Sequence, residues 1–573
     1  MSAPLKLKSE RVGKVKLAGE SPFLSVLVDT GVYHLDQPYD YSLPAHLEVQ
    51  VGDWVSVPFN GRNCSGLVIA RRKSSVILKV QPINRVIKGP KISKNHLKLY
   101  EAIAARWAVP IFDVLRFVTR FRSERSIEGA GSFKGKQKRL FLQLPPDRNE
   151  IEFVRELSEK LSKEGRTLVV VPEAKIAESL SGGNFEVTPR GGILSPEFYT
   201  NLIILREDSA HHYELKSPGF NSRDVALLRS EILKENLLFV GYAPSLELAR
   251  LIEMGFIAMN RKPARTSVLA KPSVNTELIP SQLIKEVKAI LSQGSLLVLA
   301  PSKGYGLAIS CASCRNLALC GCGGKLTKLS RNSDPICSIC RKPSLEWRCA
   351  FCGKEKIYLL GRGIERIAEE FGKSFPNIKI FFTTAERPLS HPLPKKSLLL
   401  ATPGTMLEPN HTKSLSGVLF LDGLNLGTDL RSEERFLSLL MRYTAHVKGR
   451  ALVVERPEHP AINALIKWDP MRYLSRQILQ YSETELPPST RHVLMVAEEK
   501  EAAKIFNGFL EAMRRERLPL GIRIHLLENG VISLFFPIKQ AVLTLAFLRE
   551  FQRRRSISGK SLVKMRIDPY QIG

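Results

Sequence analysis

Eight of the nine cysteines of this 573-residue chain fall within 42 residues: Cys311, Cys314, Cys320, Cys322, Cys337, Cys340, Cys349 and Cys352. Three pairs read C-x-x-C, and Cys320 with Cys322 reads C-x-C. A short turn between two thiols aims both sulfurs at one ion, and eight thiolates are enough for two tetrahedral Zn–S4 sites. All-thiolate ligation leaves no open position for a reacting water, so the expected sites are structural. The surrounding segment has few large apolar residues, and metal binding is expected to supply its folding free energy. An iron–sulfur cluster is the rival metal reading, and scattered structural cysteines are the plain one. Cys64 stands apart and reads as a packed thiol.

Lys and Arg number 85 against 56 Asp and Glu, a formal charge of +29. Two Zn²⁺ ions on eight thiolates would leave about +25. A chain this basic is expected to meet a polyanion, nucleic acid first. With 44% hydrophobic and 25% charged residues the composition is that of a globular protein and excludes wholesale disorder. No apolar run is long enough to span a membrane. The N-terminal MSAPLKLKSERVGKVKLAGE is basic but lacks the apolar stretch of a secretory signal. A cytoplasmic, nucleoid-associated location is expected, where the cysteines stay reduced.

The rest of the chain must position these groups. Residues 1–20 read as a mobile basic tail. Runs at Leu24–Val28, Trp54–Pro58 and Gly66–Ala70, separated by Pro, Gly and Asn turns, predict a β-rich region over 21–92. Leu97, Tyr100, Ile103, Ala104 and Trp107 then share a helical face, and Arg116 to Arg139 reads as a basic linker carrying Gly129, Gly131 and Gly135. Strands are predicted at Leu140–Leu144, Thr167–Val171, Leu202–Leu205 and Leu237–Gly241, with helices at Ile151–Leu161 and Ser222–Glu235. A second series runs Ser295–Ala300, Ile378–Phe382, Ser397–Ala401, Gly417–Leu421 and Arg450–Val454. Buried strands alternating with amphipathic helices predict two α/β units with parallel sheets. From about Arg476 the order strand–helix–strand–strand–helix–strand predicts a compact α+β tail.

Several segments carry a resemblance. PYDYSLPAHLEVQVGDWVSVPFNGR is similar to an F-D-Y followed by a G-x-x-V-x-V-P-F-G segment, GYGLAIS before the cysteines to an R-G-Y sequence, ERPEHPAI to N-P-E-H-P-A-I, and LVKMRIDP to a closing V-D-P strand. In this order they resemble the PriA family, the primosomal protein N′ of bacterial replication restart, from about residue 24 to Pro569. The resemblance implies a small 3′-DNA-end-binding domain (21–92), a helix and basic linker (93–137), a first helicase lobe (138–265), a second lobe (266–310 and 353–475) interrupted by the zinc-binding insertion (311–352), and an α+β C-terminal domain (476–573). It implies nested ligation: Cys311, Cys314, Cys349 and Cys352 on one zinc, Cys320, Cys322, Cys337 and Cys340 on the other. The C-x-C pair is one residue shorter than the family's C-x-x-C. The family's winged-helix region is largely missing from this chain.

Measured against that family, the nucleotide machinery is degenerate. A Walker A loop needs backbone N–H groups and a lysine for phosphates and a Ser/Thr for Mg²⁺. Here the strand RLFLQL is followed by PPDRNEIEFV, with two prolines and neither glycine nor lysine in the loop. The decoy Gly131-x-x-x-Gly135-Lys136-Gln137 is one residue short, lacks Ser/Thr and precedes the strand. The family's D-E-E-H reads Arg206-Glu207-Asp208-Ser209, its G-S-A-T-P-S reads GYAPS over Gly241 to Ser245, and its Q-x-x-G-R-x-G-R reads MRYTAHVKGR, with Arg442 and Arg450 as surviving cations. Neither nucleotide binding nor a catalytic residue is assigned.

The positions matching the family's DNA-end pocket are Tyr39, Asp40, Phe59, Asn60 and Gly61. An aromatic ring can stack on a terminal base and a carboxylate can accept from a 3′-hydroxyl. Arg71, Arg72 and Lys73 and the run Arg553, Arg554 and Arg555 are further candidates for phosphate contact. His211, His212, Tyr213 and Phe220 replace the family's aromatic-rich loop. The expected function is primosome assembly on forked and single-stranded DNA without ATP hydrolysis, alongside primosome proteins, the replicative helicase or its loader, and single-stranded DNA-binding protein. An active 3′-to-5′ helicase, and a zinc-ribbon interaction module with no DNA role, are the two rivals.

Overall fold

Strand formation in the N-terminal region follows from alternation. Phe23–Val28, Trp54–Phe59 and Arg62–Arg72 bury Leu24, Val26, Val55, Val57 and Val68 on one face of a five-stranded antiparallel sheet. Its order is Pro38–Ser42, Phe23–Val28, Arg62–Arg72, Trp54–Phe59, Arg85–Ile87. The computed structural model describes residues 17–121, 137–273, 277–301, 308–321, 324–338, 340–360, 363–385, 387–407, 409–422, 424, 430–519, 521–527 and 530–570. Most of the expected basic tail, Gly129, Gly131, Gly135, Lys136, Cys322 and the start of GYGLAIS lie outside them.

Two helices, Lys94–Arg106 and Ile111–Val118, follow. Ser93 caps the first by accepting the N–H of His96. The second was not expected; it buries Ile111, Phe112, Val114, Leu115, Phe117 and Val118 and leaves Asp113 and Arg116 as a short polar stripe. Together they join Trp54 and Leu67 of the N-terminal sheet to Phe220 and Val225 of the next unit and to Val493 and Leu534 of the C-terminal one in a single core.

The tandem α/β units have two six-stranded parallel sheets. The first runs Ala258–Asn260, Arg139–Gln143, Asn236–Gly241, Asn201–Leu205, Thr167–Val171, Glu186–Pro189. The second runs Val268–Ala270, Arg450–Val453, Leu415–Phe420, Ser295–Leu299, Ser397–Ala401, Lys379–Thr383. Central strands such as Thr167–Val171 are buried throughout, as strands covered on both faces must be. One core spans both units, from Leu144, Val171 and Ile203 to Leu299, Val418 and Trp468.

Helix Pro470–Glu483 runs straight through the predicted start of the tail at Arg476. The C-terminal sheet begins at Thr490 and is antiparallel, ordered Arg523–Leu527, Val531–Pro537, Thr490–Val496, Lys564–Ile567. Its helix Ala541–Ile557 reaches back to the N-terminal region, where Arg549 faces Asp36 at 3.9 Å. Among the described residues no helix is long and apolar enough to cross a membrane.

Candidate functional site

The cysteine segment leaves the second α/β unit on strand Ala308–Cys311 and returns on Ile357–Leu360, which pair antiparallel. Each C-x-x-C closes on a left-handed residue directly after its second cysteine: Arg315 (φ 61°), Arg341 (φ 62°) and Gly353 (φ 71°). That turn lets the N–H of Arg315 donate to Cys311 O, that of Arg341 to Cys337 O and that of Gly353 to Cys349 O. Side chains of each pair thereby point the same way.

The sulfurs of Cys311, Cys314, Cys349 and Cys352 lie within 4.8 Å of one another, as do those of Cys320, Cys337 and Cys340. Cys311 and Cys352 are 3.4 Å apart, Cys314 and Cys349 3.5 Å, Cys320 and Cys340 3.7 Å. A disulfide needs about 2.05 Å. Four sulfurs at about 2.3 Å from one Zn²⁺ stand roughly 3.8 Å apart, so both groups could hold zinc. The N–H of Cys314 lowers the Cys311 thiol to about 6. At Cys352 the N–H of Lys354 favours the thiolate, but the crowding sulfurs of Cys311, Cys314 and Cys349 outweigh it and push the thiol up to about 12. Four such neighbours cannot all ionise without a cation among them.

In the N-terminal sheet, Asn60 (φ 46°) and Gly61 (φ 73°) form a two-residue turn between Phe59 and Arg62. Both central residues need positive φ, which Asn and Gly supply. The Tyr39 ring meets Phe59 edge-on, centroids 4.9 Å apart. Asp40 accepts from the Ser75 hydroxyl at 2.7 Å, and its second oxygen faces Arg72 at 3.8 Å, beyond hydrogen-bond reach. That oxygen retains acceptor capacity. Other candidates have structural duties. Arg71 donates to the carbonyls of Val49 and Glu20, and Arg555 is buried on Glu501 and Ser561. His212 is buried against Leu205 O, and Phe220 packs between Trp107 and Phe117.

Parallel strands bring Leu144–Asn149, Arg206–Ser209 and Tyr242–Ser245 to one sheet edge, the usual ligand edge of an α/β unit. Here its charged groups face one another. Asn149 caps helix Glu150–Ser162 by accepting the N–H groups of Ile151 and Glu152, and the first turn carries Glu150 and Glu152. A phosphate would meet acid there, not free donors. Arg206 is buried between Glu150 at 3.5 Å and Glu173 at 3.8 Å. Glu207 accepts from the Ser245 N–H at 2.6 Å and hydroxyl at 2.8 Å. Burial pushes Glu207 up to about 7 against the pull of Arg223.

The network crosses to the second unit. Ser438 donates to Asp208, and Arg431 donates to Glu247, which Arg223 also approaches at 3.1 Å. Burial works against the Glu247 carboxylate, but Arg223 and Arg431 hold it well below its usual range. Arg431 also donates to Tyr570 O. Gln143 donates to Trp468 O at 3.0 Å, and the Trp468 indole donates to Leu144 O at 2.8 Å. Arg450 is on the outside, paired with Glu286 at 2.8 Å.

An antiparallel sheet with an aromatic and carboxylate rim, two parallel α/β units and a four-sulfur knot define the class. Residues 25–119 match the sequence model of the PriA "3'DNA-binding domain (3'BD)". Along the chain, the "Probable replication restart protein PriA" of Mycobacterium tuberculosis (strain ATCC 25618 / H37Rv) is 25% identical over 658 residues, covering 95% of this chain and all of that protein. Its counterpart in Mycobacterium leprae (strain TN) is 25% identical over 563 residues, 81% of this chain and 86% of that one. The "Replication restart protein PriA" of Bacillus subtilis (strain 168) is 23% identical over 355 residues, 56% of this chain and 44% of that one. The resemblance to the PriA family first read from the motifs holds over most of the chain.

Proposed function

We propose that this chain is a replication-restart protein that binds fork-structured DNA through its N-terminal sheet and helps reload the replicative helicase without hydrolysing ATP. The DNA-binding part rests on the match of residues 25–119 to a 3′DNA-binding domain, together with the charge of +29. Tyr39 and Phe59 would stack on the terminal base, Asp40 would accept from the 3′-hydroxyl, and the Asn60–Gly61 turn would wall the pocket. Two Zn²⁺ ions, one on Cys311, Cys314, Cys349 and Cys352 and one on Cys320, Cys322, Cys337 and Cys340, would hold the insertion folded. Primosome proteins and single-stranded DNA-binding protein are the expected partners.

The absence of hydrolysis rests on Asn149. Its side chain takes the donors that would cradle phosphate, and Arg206 places a cation where Mg²⁺ would need an acid. Phosphoryl transfer depends on metal, lysine and arginine acting together. Turnover of ATP with and without a forked DNA, beside anisotropy with the same fork at physiological salt, tests both halves. Salt-sensitive fork binding with no DNA-stimulated turnover is expected. Turnover that tracks unwinding of the duplex overturns the proposal.

A further inference from the structure

The loop between strands Arg62–Arg72 and Arg85–Ile87 holds its most apolar residues in water. Val76 is 96% exposed, Leu78 102% and Ile77 48%. The loop's stem is firmly seated. The N–H of Ser42 donates to Gln81 O at 2.9 Å, that of Ile83 to Ser42 O at 3.1 Å and that of Asn84 to Ser56 O at 2.8 Å, while Ile83 is buried. On the other side the Ser75 hydroxyl donates to Asp40 and accepts the N–H of Ile77 at 3.1 Å. The Val-Ile-Leu tip starts one residue beyond the group that touches Asp40.

The tip's surroundings select its partner. Residues 54–100 contain ten Lys and Arg and no Asp or Glu. Arg72, Lys73 and Lys79 flank the tip and are exposed. Apolar side chains framed by cations and set beside an aromatic rim suit duplex DNA: cations for the phosphates, an apolar wedge for the face of a base pair. We propose that Val76, Ile77 and Leu78 form a wedge that presses on the end base pair of the duplex arm whose 3′ terminus the Tyr39–Asp40–Phe59 rim holds. The wedge rests on the DNA-end reading given above and adds a second action to it. Binding the terminal nucleotide requires freeing it from its stack, and an apolar surface replaces the stacking contact that is lost.

The test uses the full chain and a fork carrying 2-aminopurine in the template strand opposite the 3′-terminal nucleotide of the duplex arm, a base that loses its partner without entering the Tyr39–Phe59 rim. The wild-type chain should raise the probe's fluorescence severalfold on binding. V76S/L78S, two changes at exposed positions that should leave the thermal midpoint alone, should lose most of that rise. It should also bind the fork three- to tenfold more weakly while binding a single strand with a free 3′ end as before. V76S/L78W, which restores a stacking surface, should recover the signal. Fork binding by the wild-type chain without a fluorescence rise overturns the wedge and leaves the DNA-end reading standing. Unchanged signal and affinity in V76S/L78S likewise overturn it, assigning the tip to a protein or lipid surface. No wild-type preference for a 3′-hydroxyl over a 3′-phosphate overturns the DNA-end reading and the wedge with it.

Discussion

The cysteine segment and the cleft between the two α/β units both gather groups that are costly to bring together, and they resolve the cost in opposite ways. In the cysteine segment the neighbours are alike. Four sulfurs compete for charge, with Cys311 down at about 6 and Cys352 up at about 12. In the cleft the neighbours are complementary. Arg206 meets Glu150, Arg223 and Arg431 share Glu247, and Ser245 and Ser438 occupy Glu207 and Asp208. One region calls for a cation from outside; the other sets its charges against its own residues.

The sharpest way to break this contrast is at a sulfur. Cys349→Ser should release about one zinc per chain and unfold the segment between the two pairing strands, because metal binding there is folding free energy. Metal analysis and limited proteolysis read both effects, and unchanged metal content refutes the nested grouping. A chelator should act on this segment first and leave the cleft intact.

The cleft responds differently, to loss of a partner. Arg431→Ala takes one of the two guanidinium groups off partly buried Glu247, leaving Arg223 at 3.1 Å, and should cost up to about 3–5 kcal/mol in denaturant unfolding. Replacing the pair together, Arg431→Met with Glu247→Leu, should cost much less. Equal losses in both variants would mean that the pairing contributes nothing specific.

A smaller effect comes from protons. Burial raises Glu207 from an ordinary 4.5 to about 7 and Glu434 to about 8. Each holds its proton more tightly folded than unfolded. Their contribution is full below pH 4.5 and is lost as pH rises through 7 and 8. Glu207→Gln should remove roughly 1–3 kcal/mol of that fall between pH 5 and 8. Identical pH profiles of the midpoint in both proteins would contradict the assignment.

The least costly change is Asp40→Ala. It should leave unfolding nearly unchanged and reduce the preference for a fork ending in a 3′-hydroxyl over one ending in phosphate by about 1 kcal/mol, one hydrogen bond's worth. Equal preference in both proteins refutes the pocket.

What the sequence disclosed follows the range of the interactions. Thr167–Val171 and Ser397–Ala401 end where their apolar runs end. Edge strands Glu186–Pro189, Ala258–Asn260 and Val268–Ala270 are short and partly exposed, with at most three apolar residues in a row within each to mark them. Helix Ile111–Val118 escaped because it is only eight residues long and its polar stripe is just Asp113 and Arg116, too short a run to set a period. The cysteines declared themselves because each pair is local. The cleft network could not, since Arg431 and Glu247 are 184 residues apart and Ser438 and Asp208 are 230 apart. The family resemblance implied that Arg206 stands in place of an acid, but not that Glu150 and Glu173 face it.

Trp468 turns this architecture into an instrument. It is one of four tryptophans, 2% exposed, with its indole nitrogen bound to a carbonyl of the opposite unit. Any parting of the halves must wet that ring first. Emission from this chromophore will move to longer wavelength on separation, so ordinary spectrofluorimetry follows the opening with no attached dye.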